Sequence, residues 1–218
     1  MRIVHALRFD RRESRLPAST ATLVVAVLYV LLPNRLSLGP TVVFPIVAVL
    51  ALIPLTLADA LGRSHPAYRM LALGLLAFTA AANGTSLVLL VQELLSRTPH
   101  MSGRQLLGGA LIVWLSNVIV FALMFWELDR GGPRARERGD RDVPDFLFPQ
   151  MTDAKELMPG WQPAFSDYLY TSSTNATAFS PTDTMPITGT AKLLMSAQSL
   201  SSFVLVVLVT ARAVNILQ

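Results

Sequence analysis

Five stretches of this chain contain no charged residue, and their lengths constrain the fold more tightly than any other feature. They lie between Arg15 and Arg35, Arg35 and Asp59, Arg69 and Glu93, Arg104 and Glu127, and Lys192 and Arg212, and they hold 19, 23, 23, 22 and 19 residues. A helix rises about 1.5 Å per residue, so about 20 apolar residues cross the roughly 30 Å hydrocarbon core of a bilayer. The apolar residues in these stretches go all round, with no 3.6-residue period to mark a half-buried soluble helix. Charged residues make up only 15% of the chain, against about 25% in a soluble domain. The pattern argues against a soluble fold, and five membrane helices are expected.

The boundaries divide the chain into four parts. Residues 1–15 read as a basic cytoplasmic arm, 16–126 as a four-helix transmembrane region, 127–160 as a polar loop, and 161–218 as a further membrane-associated unit ending in the last span. Pro17 and Pro33 suit the two ends of the first span. Pro45 and Pro54 interrupt the second, which membrane helices tolerate when neighbours satisfy the freed carbonyls. The third span, Met70 to Leu95, carries Asn83, and the fourth, Gln105 to Trp126, carries Asn117. Arginines cluster in the N-terminal arm, in the loop from Gly62 to Arg69 and in the loop from Glu127 to Gly160. The positive-inside rule places these three in the cytoplasm. The expected location is the inner cell membrane, as a multipass protein with no cleaved leader.

Several classes of chemistry find no support. There is no cysteine, hence no disulfide, thiol nucleophile or thiolate metal site. His5, His65 and His100 flank different spans and do not form a metal-ligand pattern. No serine elbow, zinc helix or phosphate loop occurs. The basic pI reflects arginines beside membrane segments, which suit anionic lipid better than nucleic acid. No enzyme activity, metal or cofactor is expected, and the partners expected are the lipid bilayer, further copies of the chain and inorganic ions. Glu127 and Asp129 beside Arg130 read as a solvated interfacial cluster. Asn83, Asn117 and Asn215 read as hydrogen bonds between helices, and Arg212 as a residue snorkelling to the interface. The two Asn-x-Thr matches, at Asn83 and Asn175, read as chance.

The segment from Trp161 to Lys192 is too polar to span easily, yet it runs directly into the last apolar helix. Asp167, Leu169, Tyr170, Ser172 and Thr177, then Asp183, Pro186, Thr188 and Lys192, fall without a gap on a known pattern. They resemble the pore-loop region of the two-helix potassium-channel superfamily, which reads pore helix, Thr-Val-Gly-Tyr-Gly-Asp filter, a proline a few residues on, then an inner helix. The likeness covers about 50 residues, and no arginine repeat of a voltage sensor precedes it. It implies an all-α integral membrane protein of five transmembrane helices. A re-entrant pore helix and loop near residues 164–182 would precede a final helix from Ala191 to Leu217.

The filter itself departs from the family. Within Thr177, Ala178, Phe179, Ser180, Pro181, Thr182 and Asp183, the family's Gly-Tyr-Gly is Ser180-Pro181-Thr182. Glycines in such a filter accept backbone angles costly to other residues, and its stacked carbonyls replace the ion's hydration shell. Potassium selectivity is therefore not implied. Two functions stay open: a channel-like protein, weakly selective, assembled as a tetramer with Thr177, Ser180 and Thr182 hydroxyls lining the path and Asp183 at its mouth; and a non-conducting scaffold that keeps the pore-loop fold. Asp183 reads either as that mouth carboxylate or as the cap of the last helix. Ser196, Ala197, Ser199, Ser201 and Ser202 would permit close helix contacts. The charge rule and the resemblance disagree on orientation, because potassium channels insert the pore loop from outside, whereas the arginines place its preceding loop inside.

Overall fold

The computed structural model describes residues 13–63, 65–96, 100–152, 154–156, 158–177 and 183–216. The chain is mostly helical: α1 (Leu16–Leu31), α2 (Val43–Ala60), α3 (Pro66–Leu95), α4 (Gly103–Leu128), the short α5 (Pro133–Arg138), α6 (Phe165–Thr177) and α7 (Gly189–Ile216). Strands β1 (Phe146–Leu147) and β2 (Met185–Pro186) pair antiparallel, Phe146 opposite Pro186 and Leu147 opposite Met185. Helices α2, α3, α4 and α7 are each long and apolar enough to cross a membrane. Helix α1 is equally apolar and has 16 residues.

Local chemistry explains the ends. Helix α3 starts a turn before the expected Met70, because Pro66 takes its first position and His65 Nδ1 accepts the Ala67 N–H, a cap that offsets the orphan donors of a first turn. Helix α4 opens on a capping box, Ser102 with Gln105. In α2 the ring of Pro54 removes one helix donor, and nearby Thr56 Oγ1 donates to the carbonyls of Leu52 and Ile53.

Ion pairs show which helix ends meet. Arg15, before α1, and Arg69, in the first turn of α3, each lie 3.3 Å from Glu127 near the end of α4. Arg134 of α5 lies 3.0 Å from Asp59 at the end of α2. Glu13 to Arg15, the α2–α3 turn and the loop after α4 therefore share one end of the bundle, and we call it the arginine-rich end. Helix α7 begins there too, since Thr188 Oγ1 donates to Asp145 Oδ1 at 2.6 Å, and it runs towards the opposite end. At that opposite end Gly109 of α4 sits against fully buried Leu36.

The loop from Glu127 to Gly160 is built into the core rather than lying over it. Phe146 and Phe148 are buried and pack with Phe125, Trp126, Phe165 and Tyr168, the Tyr168 ring meeting Phe146 and Phe148 edge-on. The outer faces carry exposed Ile46, Leu50, Ile53, Leu57, Leu111, Leu193, Leu200 and Phe203, an apolar girdle far larger than water-soluble proteins display.

The cluster around Glu127 and Asp129 is not solvated. Asp129 is 0% exposed, and its carboxylate accepts from Tyr168 Oη at 2.6 Å, Asp145 N at 2.8 Å and Arg130 Nε at 3.4 Å. Arg136, its side chain 1% exposed, forms a fork on Glu13 at 2.9 and 3.0 Å and also donates to the carbonyls of Trp126 and Asp129. Burial alone would favour neutral Arg136, but Tyr168, Glu13 and Asp129 around it hold its pKa above the ordinary arginine value. Composition cannot distinguish this from a solvated cluster, because the pairing depends on residues 16 to 123 positions apart.

Gly132 locks the turn below this cluster, with φ +94 and ψ 174, a conformation open almost only to glycine. A Cβ there would stand 2.5 Å from Arg69 Nη1 and 2.8 Å from the Glu127 carbonyl. Gly132→Ala is expected to lower stability by about 1–3 kcal/mol, measured as the unfolding midpoint of the protein in detergent. A Gly139→Ala control meets only the backbone penalty, since nothing lies within 4 Å of its Cβ position.

Candidate functional site

Helix α6 has 13 residues, about 20 Å at 1.5 Å each, too short to cross a bilayer. Its start is capped from within, the Ala164 N–H donating to Asp167 Oδ2 at 2.7 Å. The acidic residue that matches the pore-helix pattern thus has a helix-capping role here. One turn on, Tyr168 reaches Asp129 at the arginine-rich end. Ser172 lies deeper, its Oγ donating to the Val118 carbonyl of α4 at 2.6 Å.

Below it, buried Gln198 of α7 joins the two helices. Its Nε2 donates to Ser172 Oγ at 2.6 Å and to the Ser172 carbonyl at 3.0 Å, while its Oε1 accepts from Asn175 Nδ2 at 2.8 Å. Asn175 also donates to the Met195 carbonyl at 2.9 Å and accepts from Ser199 Oγ at 2.9 Å. Ser199 is ten residues into α7, about 15 Å along its axis. From Thr184 the chain is back beside α6, Thr171 Oγ1 donating to Thr184 Oγ1 at 3.2 Å, and β2 then pairs with β1.

A second polar layer ties α3, α4 and α7. Asn83 Nδ2 donates to Asn117 Oδ1 at 3.1 Å, and Asn117 Nδ2 donates to Ser201 and Ser202 Oγ at 3.2 and 3.3 Å. Asn83 and Asn117 therefore bond between helices, and Ser201 and Ser202 give close contacts inside one chain. The side chain of Asn215 lies outside the described residues. Neither Asn83 nor Asn175 offers a free acceptor for a glycan.

Of the expected filter-like residues, Ala178, Phe179, Ser180, Pro181 and Thr182 lie outside the described residues. Thr177 and Asp183 flank them, both exposed. The cap of α7 is Thr188, whose Oγ1 accepts the Ala191 N–H at 3.3 Å, so Asp183 is not the helix cap. Gln198 is the residue that sequence reasoning missed, although it is the only amide within the last charge-free stretch. The outward face of α6 carries exposed Ser166, Tyr170 and Thr177 with half-buried Ser173, a hydroxyl stripe at helical spacing.

Among the described residues, no group of three or more His, Asp or Glu could hold a metal ion. The fold defines a mostly helical protein with four helices able to cross a membrane. Comparison with protein-family models, with curated proteins and with solved structures finds no match to this chain.

Proposed function

We propose that this chain is a channel-like multipass membrane protein. In this reading α1, α2, α3, α4 and α7 span the bilayer. Helix α6 and β2 form the two sides of a re-entrant hairpin, and the residues Thr177 to Asp183 line a weakly selective cation path. Four copies complete the path, because one hairpin supplies only a quarter of a lining. The observation that carries the reading is the course of the chain: α6 leaves the arginine-rich end, reaches Gln198 and Ser199 at mid-depth, and by Met185 the backbone is back at the end it left. A polar segment at that depth needs protein or water around it, and the hydroxyl stripe of α6 points away from its own bundle.

The positive-inside rule puts the arginine-rich end in the cytoplasm, so the hairpin enters from that side. The likeness to potassium channels is then to an inverted arrangement, with Asp183 near a cytoplasmic mouth. A second reading, the non-conducting scaffold, is favoured by one observation. Ser172, Asn175 and Gln198 satisfy one another within one chain and require no ion.

Cation flux into liposomes holding the purified protein tests both. The channel reading expects flux that Asp183→Asn lowers several-fold and Ser180→Trp abolishes. Reproducible absence of flux selects the scaffold, and flux that both substitutions leave unchanged removes residues 177–183 from the path.

A further inference from the structure

The arginine-rich end holds a cavity of about 540 Å³ between the α2–α3 turn, α5 and Arg130, within the range of small-ligand sites, roughly 300–1,000 Å³. Seven arginines line it, against Asp59 and Asp140 as the only acids. Part of that charge is spent inside the protein: Arg134 pairs with Asp59, Arg138 with Asp140, and Arg15 and Arg69 share Glu127.

Two side chains and one donor are left over. Among the described residues the Arg63 and Arg141 side chains have no ion pair or hydrogen bond, and Arg130, paired with Asp129 through Nε, keeps a buried Nη2 with no hydrogen-bond partner. Arg130 is held in place by its backbone, at φ +51 with its N–H donating to Asp145 Oδ2 at 2.7 Å. Bringing seven guanidinium groups around one cavity is repulsive unless an anion joins them, and planar guanidinium groups match phosphate oxygens two at a time.

We propose that this cavity binds a phosphate-bearing anion with at least two negative charges. The phosphate sits among Arg63, Arg130 and Arg141, while the paired arginines form the outer wall. The cavity opens where the ends of α2 and α3 meet, at the depth of lipid headgroups in a membrane-embedded bundle, so the phosphate is either that of an anionic lipid or that of a soluble compound. The inference is independent of whether the protein conducts.

The test uses the full chain, purified in detergent and in nanodiscs, together with an Arg63→Gln/Arg141→Gln variant. These two side chains have no partner to lose, so the variant leaves the fold intact. An Arg35→Gln/Arg104→Gln variant at the opposite end controls for diffuse charge. In detergent, pyrophosphate is titrated at fixed ionic strength against the thermal unfolding midpoint. In phosphatidylcholine nanodiscs with and without cardiolipin, lipid retained through purification is counted by native mass spectrometry.

A saturable rise in midpoint with pyrophosphate, weakened about tenfold in the cavity variant and unchanged in the control, establishes the site and a soluble source. Cardiolipin retention that the cavity variant alone loses, without a pyrophosphate response, establishes the site and a lipid source. No response to either probe, or a response equal in all three proteins, overturns the proposal.

Discussion

Asp129→Ala is expected to lower the stability of the protein by about 3–5 kcal/mol, the range for removing one partner from a buried charge network. The carboxylate is fully buried and receives Tyr168 Oη, Asp145 N and Arg130 Nε. Alanine leaves all three donors without an acceptor, and it removes the negative charge 4.0 Å from Arg136. The loss spreads beyond one helix, since Asp129 holds the end of α4 to α6 through Tyr168 and to the β1 loop through Asp145. Tyr168→Phe removes one bond and should cost only about 1–2 kcal/mol. Denaturant unfolding in detergent, followed by tryptophan fluorescence, measures both. Equal midpoints for Asp129→Ala and the parent would mean that the carboxylate is solvated, as its sequence neighbourhood suggests.

Gln198→Ala should cost about 2–4 kcal/mol, combining lost bonds to buried polar groups with a cavity the size of the missing amide. Gln198 is 0% exposed and holds α6 against α7 through Ser172 and Asn175. The neighbouring change Leu200→Ala, on the exposed face of the same helix, should change stability by less than about 1 kcal/mol. If the hairpin forms the conduction path, Gln198→Ala also reduces flux, because it loosens the seat of Thr177. Measuring stability and flux on the same preparation separates the two effects: a destabilised variant with undiminished flux would place the path elsewhere.

The long helices were legible because charge-free length is a one-dimensional property, and burying a charge in lipid is costly whatever the fold. Their ends were less so. The start of α3 was placed at Met70 because the charged Arg69 ended the apolar run, whereas the fold lets Arg69 sit in the first turn by pairing it with Glu127. Of the candidate site, a short polar helix carrying Asp167 was expected only from the pore-loop resemblance, and the cap that Asp167 makes with the Ala164 N–H was not anticipated. Nor were Gln198 and the buried state of Asp129. Their roles depend on which distant residue each one meets: Gln198 on Ser172 across a turn of chain, Asp129 on Tyr168 thirty-nine positions away. The aromatic pair Phe146 and Phe148 was hidden for the same reason, since two residues of strand alternation inside a charged loop give no period to detect.

The short ladder between β1 and β2 also orders the birth of the protein. While the ribosome has delivered α6 but not Gln198, Asn175 on its inner face has no partner and Ser172 has only the Val118 carbonyl of α4, and lipid would not accept them. Thr184 and β2, which fasten the far side of the hairpin, emerge later still than α6. If α6 is the re-entrant segment proposed above, the nascent helix waits at the arginine-rich surface until about ten residues of α7 follow it, and the polar helix and the apolar one then enter together. On that reading α6 and α7 form a single unit of insertion, in which α7 supplies the hydrophobic drive and Gln198 carries α6 in with it.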